Sequence, residues 1–166
     1  MSITNLSKLC ELLVFAYSDI SSDEKNIQKI RDKTYKLLED YNGTDWKKYM
    51  KIESCKYHRE LLYKSKSFDM VIITWATEQR CPVHNHPQNG CTVKVLQSNI
   101  TEDLYNTETF VVERSTTYNE GDIMYIDDTI GYHKMCNKRI EPCVTLHVYA
   151  PGYYCPIFFN GEKKQQ

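Results

Sequence analysis

The run TLHVY, residues 145–149, decides how the rest of the chain is read. In an extended strand successive side chains point to opposite faces. Thr145, His147 and Tyr149 therefore share one face, and Leu146 and Val148 share the other. Polar groups along the inward face of a strand line a site more often than they fill a core. Residues 143–149 are thus expected to form a strand with one polar, inward-looking face.

Working outward, residues 68–75, 92–96, 104–105, 109–112 and 123–126 are also rich in β-branched and aromatic side chains. Turn residues lie between them, at 87–90, 106, 119–121, 127–131 and 137. Several short strands with turns between them predict a β-sandwich or barrel. The first third has a different texture. Leu6, Leu9, Cys10, Leu13 and Phe15 give an imperfect helical spacing, and Ile27, Ile30, Tyr35, Leu37 and Leu38 give a second stripe. Ser21 with Glu24 resembles a capping box, and Asn42-Gly43 ends the second helix. Further short helices are expected over 46–50 and 53–58.

Composition narrows the function classes. The chain has 166 residues and a formal net charge of -1, with no long block of one sign, so no nucleic-acid partner is implied. Its densest apolar runs, MVIITWA at 70–76 and YYCPIFF at 153–159, fall far short of the roughly 18 residues a spanning helix needs. The N-terminus lacks a basic start and a clean cleavage site. The seven cysteines are odd in number and contain no C-x-x-C pair. A zinc site built on cysteine is not expected, and a reducing, cytoplasmic setting is. One domain over 1–166 is expected: a helical portion to about residue 60, a β-rich body to about 160, and a tail at 161–166. The chain is expected to be a monomer.

Of five histidines, His84 and His86 form a His-x-His pair whose rings would point the same way on a strand. His133 could join them from a facing strand. Such a pair alone is weak support for a metal, since two surface histidines beside a turn would read the same. The spacing of this pair and of H-x-x-x-N at 133–137 resembles the metal-binding motifs of the cupin superfamily. A glutamate ligand usually follows the pair there. Here Cys91 stands at that position, so the candidate ligands are three neutral imidazoles. Imidazole donors suit iron, zinc or copper.

Four segments, KYHRE at 56–60, HNHPQNGC at 84–91, GYHKMCN at 131–137 and TLHVYAP at 145–151, together resemble eukaryotic-type cysteine dioxygenase. The resemblance runs in order from about residue 50 to 156. It implies a mainly β fold, a cupin-type barrel (double-stranded β-helix, or jelly roll) preceded by N-terminal α-helices. It also implies an iron(II)-dependent thiol dioxygenase that converts L-cysteine and O2 to cysteine sulfinic acid. His84, His86 and His133 would hold Fe(II), Arg59 the substrate carboxylate, and Tyr57 would lie beside it. Tyr149 would face the bound thiolate and be joined to Cys91 by a thioether, a cofactor derived from the protein itself. His147 would orient Tyr149, with Thr145 behind it, and Cys155 would lie near the pocket mouth. Ala150-Pro151 occupies the place of a cis Ser-Pro step in that family. Three departures lie close to the site, Glu60 in place of a usual asparagine, Gly90 in place of a histidine and Thr145 in place of a serine. Another small thiol such as 3-mercaptopropionate is the alternative substrate, against which Arg59 speaks. A different cupin enzyme, or a cupin that binds a metal or small molecule without turnover, are the readings of other classes. His58 is read as a surface residue.

Overall fold

The computed structural model describes residues 2–18 and 23–159. Two helices, α1 (Leu6–Tyr17) and α2 (Glu24–Asp40), and a short 3-10 helix at Asp45–Tyr49 precede ten strands. The strands are β1 (His58–Lys64), β2 (Asp69–Trp75), β3 (Val83–His84), β4 (Cys91–Gln97), β5 (Asn99–Tyr105), β6 (Val112–Asn119), β7 (Ile123–Ile126), β8 (Tyr132–Cys136), β9 (Cys143–Tyr149) and β10 (Phe158–Phe159). No helix among the described residues is long and apolar enough to cross a membrane.

The strands form two five-stranded sheets, ordered β1-β2-β9-β4-β7 and β10-β3-β8-β5-β6. This corrects the expected barrel. Among the described residues no ladder joins the two sheets, so the β portion is an open pair of sheets, and with its helices the molecule is a mixed α/β fold. A barrel needs hydrogen-bond register to continue around its circumference. Here β1 and β7 end one sheet, and β10 and β6 end the other. The chain passes from the first sheet to the second at Ser98, between β4 and β5, with a left-handed φ of 63° that is uncommon outside glycine.

Each sheet face has its own partner. Val144, Leu146 and Val148 of β9 join Met70 and Ile72 of β2 in a core shared with Leu6, Leu9 and Leu13 of α1 and Ile30 and Leu38 of α2. The opposite faces contribute Val71, Ile73, Trp75, Cys143 and Tyr149 to a second core with Ile100, Leu104 and Met135 of the other sheet. The alternation in 143–149 therefore sorts helix-facing from sheet-facing side chains, and β9 is buried on both faces.

Local chemistry fixes the helices. The Asn5 side chain caps α1 by accepting from Lys8 N–H at 2.8 Å. Phe15, expected in the buried stripe, is 76% exposed, and Ala16 and Tyr17 take its place. On α2, Ile30, Thr34 and Leu38 are buried while Tyr35 is exposed. The capping residue expected at Ser21 lies outside the described residues, as does the tail at 161–166. The α2 C-terminus is held from below: Lys94 of β4 donates to the carbonyls of Leu38 and Tyr41 at 2.7 and 2.6 Å. A cation there satisfies carbonyls the helix leaves open and complements its dipole.

Two local expectations fail. The helix over 53–58 does not form; His58 already opens β1, which pairs with the buried β2, Arg59 opposite Ile73. Residues 109–111 belong to a turn, in which Asn106 Oδ1 accepts from the N–H groups of Glu108 and Thr109 and Phe110 turns left-handed. The strand starts only at Val112.

Candidate metal centre

The register of the second sheet places His84 of β3 opposite His133 of β8. His86 lies just past the end of β3, and its backbone N–H donates to Asp128 Oδ1 at 2.6 Å. All three rings are buried, with centroids 4.4 to 5.1 Å apart. One ligand atom from each lies within 4.8 Å of the other two. The sequence pair and the distant third histidine thus form one cluster able to coordinate a metal ion.

The hydrogen bonds around the rings fit that use. The Pro82 carbonyl can only accept, so His84 Nδ1 carries the proton it donates at 2.9 Å, leaving Nε2 as a lone pair. His133 Nδ1 lies 2.7 Å from Glu102 Oε1. Neither ring nitrogen of His86 finds a hydrogen-bond partner among the described residues; Asp128 Oδ1, 3.4 Å from Nδ1, is out of bonding geometry. Burying an unpaired polar nitrogen is costly, and a metal ion would satisfy it. Burial and the neighbouring imidazoles hold the His86 ring well below its ordinary pKa, burial holds His133 well below it too, and burial lowers His84. Neutral imidazoles are the form that ligates.

A second wall comes from the first sheet. Trp75 Nε1 donates to Thr145 Oγ1 at 2.9 Å, Thr145 Oγ1 lies 2.8 Å from His147 Nε2, and His147 Nδ1 lies 3.3 Å from the Tyr149 hydroxyl. Arg59 Nη1 donates to that hydroxyl at 3.5 Å. Cys91 Sγ lies 3.8 Å from His147 Nδ1. Burial, together with the Arg59 charge, keeps His147 neutral, while burial pushes the Cys91 thiol and the Tyr149 phenol up.

The two walls enclose one pocket, lined by the three histidines, Arg59, Tyr57, Cys91, His147 and Tyr149 together with Trp75, Cys81, Tyr154 and Phe158. Arg59 is solvent-accessible and is the one permanently charged side chain in that lining. Tyr57 stacks on Trp75, with centroids 4.6 Å apart. Thr145 does not line the pocket and touches its lining through His147 and Trp75. Cys155 is exposed and absent from the lining, although its neighbours Tyr154 and Pro156 are part of it. The Ala150-Pro151 peptide is cis. Gly90 has a φ of 78°, and a Cβ there would lie 2.6 Å from the Ile126 carbonyl oxygen, so no side chain fits in this turn.

Other residues near the site carry no sequence motif. Trp75 sits in an apolar run, and only the need of a buried indole N–H for an acceptor marks it. Glu102 follows Ile100 and precedes Leu104 at the strand period, a carboxylate in an apolar phase. Asn85, between the two histidines, accepts at Oδ1 from Tyr154 Oη and Ile157 N–H, both at 2.7 Å, which ties the segment after β9 across the pocket. His58, read as a surface residue, is paired on both sides, with Glu53 at 2.8 Å and Glu60 at 3.2 Å.

Residues 5–160 match the family model for cysteine dioxygenase type I. The chain is 28% identical to cysteine dioxygenase type 1 of Rattus norvegicus over 154 residues, covering 87% of this chain and 75% of the rat protein. The human protein of the same name is 27% identical over the same coverage. Among solved structures, a Klebsiella pneumoniae protein with a double-stranded β-helix domain superposes with a TM-score of 0.58 at 21% identity, over 70% of this chain and 94% of that one. That likeness is one of fold.

Proposed function

Since the chain belongs to the cysteine dioxygenase type I family, we propose that it converts L-cysteine and O2 to cysteine sulfinic acid with iron(II) held by His84, His86 and His133. The observation that carries this reading is the shared pocket: the three-histidine cluster and a lone guanidinium line the same space, with the Tyr149 hydroxyl hydrogen-bonded to that guanidinium. Such a pocket suits a small anionic substrate with a soft donor at one end and a carboxylate at the other.

Iron(II) supplies the redox chemistry between thiolate and dioxygen, in which the sulfur loses four electrons and dioxygen gains four. The protein's own groups order the reactants. Arg59 receives the carboxylate in its planar fork. Tyr57, stacked on Trp75, closes the side of the pocket next to it. Tyr149 offers a proton donor where charge grows on oxygen. Its phenol stays protonated at neutral pH because burial raises its proton affinity. The Trp75–Thr145–His147 chain fixes the direction of that hydroxyl. Cys91 joins Tyr149 through a thioether that holds the ring in place.

The test is a comparison of thiols. Iron(II)-loaded protein is incubated aerobically with L-cysteine or with 3-mercaptopropionate, and sulfinate is identified by mass. Sulfinate formed mainly from L-cysteine supports the proposal. Preference for 3-mercaptopropionate would keep the dioxygenase and overturn the substrate. No product from either, with iron bound, would favour a cupin that binds without turnover.

A further inference from the structure

The ligand set contains no carboxylate, because Cys91 stands where the related cupin motif has glutamate. The structure nevertheless hydrogen-bonds one carboxylate to a ring of the cluster. Glu102 of β5 is 3% exposed, and its register neighbours are Met135 of β8 and Thr116 of β6, so it sits on a central strand of the second sheet. Its Oε1 meets His133 Nδ1 at 2.7 Å, and Tyr118 Oη donates to Oε2 at 3.3 Å. Among the described residues His133 is the one ion-pair partner of Glu102 within 4.0 Å. A carboxylate is costly in such a place unless a specific partner needs it.

The three imidazoles are held unequally. His84 is pinned by a neutral carbonyl, the His86 ring has no hydrogen-bond partner among the described residues although Asp128 Oδ1 stands 3.4 Å from its Nδ1, and His133 alone is hydrogen-bonded to an acid. An ionised carboxylate can only accept, so it places the proton on His133 Nδ1 and leaves Nε2 with the lone pair a metal needs. It also makes that imidazole a stronger donor.

We propose that Glu102 is a positioning residue of the metal centre: one bond behind His133, it fixes the ligating tautomer and supplies the negative charge missing from the three-histidine set. The carboxylate acts through an imidazole and takes up no coordination position itself. Tyr118, on the neighbouring strand, holds the second oxygen and so the plane of the carboxylate. The proposal rests on the three-histidine cluster being the metal site.

The test measures metal binding, with no turnover involved. Metal-free wild type, Glu102→Ala, Glu102→Gln and Tyr118→Phe are titrated anaerobically with iron(II) against a competing chelator. Cobalt(II) is then used to read the ligand field spectroscopically, and circular dichroism checks the fold. Glu102→Ala is expected to bind iron(II) about 10- to 100-fold more weakly, as outer-shell partners of ligating histidines do. Glu102→Gln keeps an acceptor oxygen without the charge and is expected to fall between. Tyr118→Phe is expected to show the smallest loss, and the cobalt(II) bands are expected to shift in both Glu102 variants. Folded Glu102→Ala with wild-type affinity and spectrum overturns the proposal. If Glu102→Ala does not fold, Glu102→Gln decides, and wild-type behaviour there overturns it equally. A wild type that binds neither metal overturns the metal-centre reading itself, and is told apart because no variant is needed to see it.

Discussion

Cys91 and Tyr149 stand directly opposite each other in the β4–β9 ladder. Opposed residues in an antiparallel pair bring their Cβ atoms to roughly 4.5–5.5 Å, so a cysteine and a tyrosine there share one small volume by construction. Both are buried against the same pocket. A thioether between them removes two hydrogen atoms, with dioxygen as the oxidant. After aerobic incubation with iron(II) and L-cysteine, intact-mass analysis should show a species lighter by those two hydrogens. Cys91→Ser and Tyr149→Phe should lack it. A wild-type mass that never changes would remove the crosslink from the account.

Arg59 is the guanidinium that faces the substrate carboxylate in this account. Arg59→Ala should reduce kcat/KM for L-cysteine by roughly 10- to 100-fold, matching a charge-assisted hydrogen bond of about 1.5–3 kcal/mol. Arg59→Lys should recover only part of the loss, since an ammonium cannot form the planar fork. Equal kcat/KM in all three proteins would place the carboxylate elsewhere.

His147 ties stability to pH. Its pKa in the fold lies well below the ordinary value because the ring is buried and faces the Arg59 charge. The unfolded chain therefore takes up a proton below a pH of about 6.5 while the folded chain does not. The sign follows: this residue lowers stability as pH falls, and the effect vanishes above the unfolded pKa. Between pH 7.5 and 5.5, His147→Gln should gain on the order of 1 kcal/mol relative to wild type in urea unfolding. A difference that does not change with pH would show that His147 titrates alike in both states.

Lys94→Met tests the link between helices and sheet. The variant keeps the bulk of the stem and removes the donor to the Leu38 and Tyr41 carbonyls. Losing a buried charged donor should cost about 1–3 kcal/mol in urea unfolding. The metal cluster lies in the other sheet, so iron(II) affinity should stay the same. An unchanged unfolding midpoint would mean that water replaces the lysine at no cost.

What the sequence made legible is what strand period and residue chemistry encode. The polar face of 145–149 was readable because side chains alternate strictly along a strand. The three histidines were readable as candidates because few other side chains ligate metals in that pattern. Sheet closure was not readable: alternation reports which face is inward, while closure depends on backbone pairing between strands distant in sequence. The helix expected at 53–58 gives way to bends over 54–56 and to the start of β1 at His58, whose pairing with the buried β2 no local pattern reveals. Phe15 looked like core because its type is apolar, yet its position on the turn of α1 points it outward. Glu102 carried a signal in the Ile100–Glu102–Leu104 alternation, but naming its partner required His133 to be placed beside it.

The central claim is tested most directly by following both atoms of dioxygen. Iron(II)-loaded protein is given L-cysteine under isotopically heavy dioxygen, and the product is weighed. The account predicts cysteine sulfinic acid carrying two heavy oxygens. Protein shown to hold iron that yields no sulfinate, or sulfinate whose oxygens come from water, would contradict it.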